Sequence, residues 1–75
     1  MKEEEIMKIS ARNTLKGTIK SIIKGPVNAE VVIDIGNGIL VTSIITAHAV
    51  ENLGLKEGKQ AYAVVKATEV MVAVD

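Results

Sequence analysis

Apolar and polar positions alternate with a period of two along most of this chain. Between Leu15 and Ile23, residues Leu15, Gly17 and Ile19 oppose Lys16, Thr18 and Lys20, the spacing of a half-buried β-strand. Lys24-Gly25-Pro26 ends it, since Gly relaxes φ and Pro restricts it. Val27 to Ile35 repeats the pattern, with Ala29, Val31, Ile33 and Ile35 on one face and Asn28, Glu30, Val32 and Asp34 on the other. Gly36-Asn37-Gly38 supplies the residues that tolerate positive φ in a tight hairpin. Leu40 to Ile45 is apolar enough on both faces to read as a strand with one side on the core and the other on a neighbouring subunit.

At Thr46 the pattern changes. A threonine before Ala47-His48-Ala49-Val50-Glu51-Asn52-Leu53 reads as an N-cap opening a short helix, with Val50 and Leu53 on its buried face. Gly54 followed by Leu55 fits a left-handed helix ending. Lys56-Glu57-Gly58-Lys59 turns the chain, and Gln60 to Lys66 and Val70 to Val74 are two further strands, broken at Ala67-Thr68-Glu69. The order strand, strand, strand, helix, strand, strand predicts an all-β chain. Its architecture is expected to be an OB-fold-like, five-stranded Greek-key barrel with one short helix. Residues 1–7 (MKEEEIM) read as an N-terminal arm and residues 8–75 as one domain.

Composition adds a requirement for partners. A core built from 75 residues supplies only about 3–5 kcal/mol of net stability, so chains of this size add a disulfide, a metal or another subunit. The chain has no Cys and a single histidine, His48, which excludes the first remedy and a four-ligand zinc site. A homo-oligomer remains, and 48% hydrophobic residues give it apolar surface to bury. That surface is aliphatic, with Tyr62 the sole aromatic residue. Nine basic and nine acidic residues cancel, which argues against nucleic acid as a partner. No apolar run approaches the roughly 18–20 residues of a membrane span, and the acidic start does not suit a signal peptide. The expectation is a cytoplasmic protein without a membrane partner.

Three segments carry a family resemblance. They are Ser10-Ala11-Arg12-Asn13 with Leu15, Lys16 and Gly17; Gly25-Pro26-Val27-Asn28-Ala29-Glu30-Val31; and Val65-Lys66-Ala67-Thr68-Glu69-Val70-Met71. With Ile45-Thr46 and Leu53-Gly54-Leu55-Lys56-Glu57-Gly58 in the same order, the chain from about residue 8 onward resembles the molbindins, the Mop or TOBE-type domains. The resemblance implies a hexamer built as a trimer of dimers, with molybdate or tungstate bound between subunits for intracellular molybdenum storage and homeostasis. It implies one oxyanion site made by Ser10, Arg12 and Asn13 of one subunit against Thr46, Lys66, Ala67 and Thr68 of another. It implies a second site at Val27 and Asn28. Ala49 stands where some members carry a serine, and the arm lies outside the family pattern.

The residue types suit the ligand. Molybdate is a dianion whose metal already has four oxygens, so a protein holds it with N–H groups, hydroxyls and cations rather than with metal ligands. Thr46 at a helix start is expected to offer its hydroxyl and the free amides of Ala47 and His48; Lys66 is a compact ammonium. No organic cofactor and no directly coordinated metal is expected. Each residue also has an ordinary role: Thr46 as an N-cap, Lys66 as a solvated strand end, Arg12 as an ion-pair partner, and Ser10, Asn28 and Thr68 as turn residues. Two other functions compete, an oligomerisation module without ligand and an OB-fold nucleic-acid binder, though the latter stacks bases on aromatic residues and this chain has one. No catalytic site is expected, because no Ser-His-Asp or Cys-His set can be assembled from these residues.

Overall fold

The computed structural model describes residues 9–75; the expected arm, residues 1–7, lies outside the described residues. Four strands form one antiparallel sheet: β1 (Asn13–Lys24), β2 (Asn28–Asp34), β3 (Leu40–Thr46) and β4 (Gln60–Val65), in spatial order β3-β2-β1-β4. One helix, α1 (Ala47–Leu53), follows β3, and a 3-10 turn at Ala67–Glu69 follows β4. The expected order of strands around a single helix holds through β4.

β1 is the longest strand because it serves two partners. Its first half pairs with β4, from Asn13 opposite Val65 to Thr18 opposite Gln60. Its second half pairs with β2, from Thr18 opposite Asp34 to Lys24 opposite Ala29. At the change-over the Ile19 N–H donates to the Lys59 carbonyl at 2.9 Å and the Gly58 N–H donates to the Ile19 carbonyl at 2.8 Å. The register then slips between Ile19 and Ser21, leaving Lys20 as an extra residue. Such a bulge bends its strand and increases the local twist. The sheet therefore curls, and the edge strands β3 and β4 both line a concavity of about 760 Å³ with Val41, Ser43 and Ile44 on one side and Tyr62 and Val64 on the other.

The core lies inside the curl: Ile19, Ala29, Val31, Ile33, Val50 and Ala63 are buried. Alternation in β2 is as the sequence indicates, with Ala29, Val31 and Ile33 inward and Glu30, Val32 and Asp34 only half-buried. The bulge breaks the alternation in β1, because Ile22 rather than Ser21 packs beside Ile19. The hairpin between β2 and β3 has positive φ at Gly36 (103°), Asn37 (55°) and Gly38 (74°). Gly54, at φ 64°, ends α1; its N–H donates to the Glu51 carbonyl, and the Leu55 N–H reaches back to the Val50 carbonyl at 3.0 Å. That pair of bonds is a Schellman ending.

Two expectations need correction. Leu53 is not on the buried face of α1; it is 62% exposed, and Leu55 packs on the core in its place. Among the described residues the expected fifth strand at Val70 to Val74 is not formed: residues after the 3-10 turn pair with no described strand, and Met71, Val72 and Val74 are 92%, 88% and 91% exposed. Among the described residues both edges that could receive a fifth strand, on β3 and on β4, are unpaired.

Candidate functional site

The sequence singles out residues at two ends of β1. At the end reached by Lys24, the hairpin into β2 brings Val27 and Asn28 beside Thr46: Asn28 is opposite Thr46 in the ladder, and the Ala47 N–H donates to the Val27 carbonyl at 2.7 Å. Thr46 has extended backbone, and its hydroxyl oxygen accepts the Ala49 N–H at 3.0 Å. This is ordinary N-capping. The hydroxyl hydrogen is left to donate. The Ala47 amide, expected to be free, is taken by Val27; of the two amides anticipated there, His48 keeps its N–H outside these bonds. An ion pair between Lys24 Nζ and Glu51 Oε2, 2.9 Å apart, ties the end of β1 to α1.

At the other end of β1, Asn13 lies opposite Val65, so Ser10, Ala11 and Arg12 leave the sheet beside Lys66, Ala67 and Thr68. Ser10, Arg12, Asn13, Lys66, Ala67 and Thr68 are all exposed. The 3-10 turn is closed by Glu69 N–H to Lys66 carbonyl at 2.8 Å and Val70 N–H to Ala67 carbonyl at 3.4 Å. The N–H groups of Ala67 and Thr68 take no part in these bonds and are available to a ligand. Through its N–H an alanine can serve such a ligand although its side chain offers no donor. Among the described residues, Arg12 and Lys66 join no ion pair.

One chain thus brings Ser10, Arg12 and Asn13 together with Lys66–Thr68, and Thr46 together with Val27 and Asn28. It does not bring the two groups together. Eleven residue steps of β1 separate Asn13 from Lys24, about 36 Å of strand contour at 3.3 Å per step. Each group is a partial set of donors; Arg12 and Lys66 bring cations to the first, whereas Lys24 beside the second is paired with Glu51. Among the described residues no three His, Cys, Asp or Glu side chains gather as metal ligands.

Residues 9–72 match the model of the TOBE domain. A probable molybdenum-pterin-binding protein of Haemophilus influenzae is 56% identical over 69 residues, spanning 92% of this chain and 100% of that protein. The solved structure of MopII from Clostridium pasteurianum superposes with a TM-score of 0.85 at 52% identity, covering 89% of this chain and all of that one. A structure of the cytoplasmic molybdate-binding protein ModG, with molybdate bound, superposes at 0.79 with 48% identity, covering 89% of this chain and 48% of that chain.

Proposed function

This chain belongs to the TOBE-domain family, and from that premise we propose that it binds molybdate or tungstate between subunits of a homo-oligomer, as a cytoplasmic store rather than as an enzyme. The observation that carries the reading is the division of donors between the two ends of β1. Ser10, Arg12 and Asn13 with Lys66, Ala67 and Thr68 form one half, and Thr46 with Val27 and Asn28 the other. Juxtaposing the Asn13 end of one copy with the Thr46 end of another surrounds a tetrahedral dianion with hydroxyls, amides and cations. Closure excludes water and strengthens each bond. The pairing differs from the one expected from the resemblance, which took Thr46 and Lys66 from the same subunit.

Assembly has its own support. Val70, Met71, Val72 and Val74 are exposed in the tail that follows β4, and among the described residues β3 and β4 keep unpaired edges. A second copy's edge supplies the partner that turns this tail into the fifth strand, an instance of strand addition. The hexamer, a trimer of dimers, extends the same logic to the exposed Ile23 and Val27 around the β1–β2 turn. Assembly alone would also account for the apolar tail, and ligand binding separates the two readings.

Native mass spectrometry with molybdate, and with sulfate as control, tests this. A hexamer that gains several molybdate masses and no sulfate is expected. An oligomer that gains no molybdate would leave an oligomerisation module, and a monomer would overturn the inter-subunit site.

A further inference from the structure

We propose that Asn37 is a site of spontaneous intramolecular modification, in which its side-chain amide is lost through a succinimide and the β2–β3 hairpin acquires a new carboxylate. Four asparagines occur in the chain, and their successors are Thr14, Ala29, Gly38 and Leu53. Asn37 alone is followed by glycine. Ring closure requires the next residue's backbone nitrogen to reach the asparagine Cγ, and a Cβ on that residue obstructs the approach. Gly38 has none, and apart from its two chain neighbours nothing lies within 4 Å of where one would stand.

The turn leaves that nitrogen unoccupied. Its bonds run from the Ile35 N–H to the Ile39 carbonyl and from the Ile39 N–H to the Gly36 carbonyl, each 3.0 Å, and from the Gly36 N–H to Asp34 Oδ1 at 2.8 Å. Gly38 N–H is in none of them. Asn37 and Gly38 are exposed and both have positive φ, so the peptide between them is open to water. Asparagine is a thermolabile residue in such settings.

The chemistry balances without a co-reactant. Solvent base takes the Gly38 N–H proton, the nitrogen bonds to Asn37 Cγ, and the side-chain nitrogen leaves as ammonia. Water then opens the imide at either carbonyl, giving an aspartate or a β-linked isoaspartate at position 37. Either product places a negative charge three residues from Asp34. The β-linked form also adds a backbone carbon to the turn that sets Asp34 opposite Leu40.

The test is incubation of the intact folded protein at mildly alkaline pH, followed by peptide mapping. Position 37 is expected to gain one dalton at least roughly tenfold faster than Asn13, Asn28 or Asn52, a barrier difference of about 1.4 kcal/mol. N37G, which suits the positive φ, should lose the fast phase while keeping its fold. A native rate at Asn37 no faster than at the other three, or acceleration seen only in urea, overturns the proposal.

Discussion

Gly17 lies so close to Asp34 that a Cβ on it would stand 2.5 Å from the Asp34 carbonyl oxygen and 2.8 Å from the Ile33 Cγ2. The approach occurs where β1 passes from β4 to β2, with Thr18 opposite both Gln60 and Asp34. Bending one strand around two partners needs close backbone contact on the inside of the bend. A side chain there would force the strands apart.

G17A is therefore expected to destabilise the protein by about 1–3 kcal/mol, the usual cost of overpacking. Thermal unfolding checks this, and an unchanged midpoint would show that the strands yield at no cost.

The Thr46 hydroxyl caps α1, and substitution can separate that role from the proposed one toward molybdate. T46A removes the cap and should cost about 1 kcal/mol, lowering the midpoint by about 4–8 °C for a chain of this size. T46S should restore both stability and molybdate binding. T46N, which caps well but replaces the hydroxyl, should restore stability alone; full molybdate binding by T46N would limit the residue to capping.

Arg12 and Lys66 are exposed and join no ion pair among the described residues. K66A and R12A should leave the ligand-free melting curve unchanged and weaken molybdate binding about 10- to 100-fold, as expected on losing one charge-assisted hydrogen bond. Isothermal titration measures the loss. Unaltered affinity in both variants would place the oxyanion elsewhere.

Val72 in the tail is 88% exposed in the single chain, so V72D should cost nothing if the protein works as a monomer. If a second copy covers the tail, burying the carboxylate is prohibitive. Sedimentation should then show the oligomer replaced by smaller species, with the melting midpoint becoming lower and concentration-dependent.

The local features were legible in the sequence because each rests on a few adjacent residues. Gly36-Asn37-Gly38 specifies a hairpin through positive φ, Thr46 and Gly54 bracket a helix through backbone hydrogen bonds, and period-two alternation from Ala29 to Ile33 defines an inward face. The residues proposed as donors were read by type and by resemblance, whereas the alternation in β1 gave no sign of the bulge at Lys20.

Tertiary structure decided what depends on distant partners. Val70 to Val74 has strand composition, yet a strand exists only where another edge accepts its hydrogen bonds, and among the described residues no edge pairs with it. Leu53 has the spacing of a core residue, but the curl of the sheet leaves Leu55 to fill the space. The register of β1 places Thr46 and Lys66 with different neighbours. Short-range sterics and hydrogen bonding are written in neighbouring residues, whereas register, curl and the pairing of edges emerge only when segments far apart in sequence compete for the same bonds.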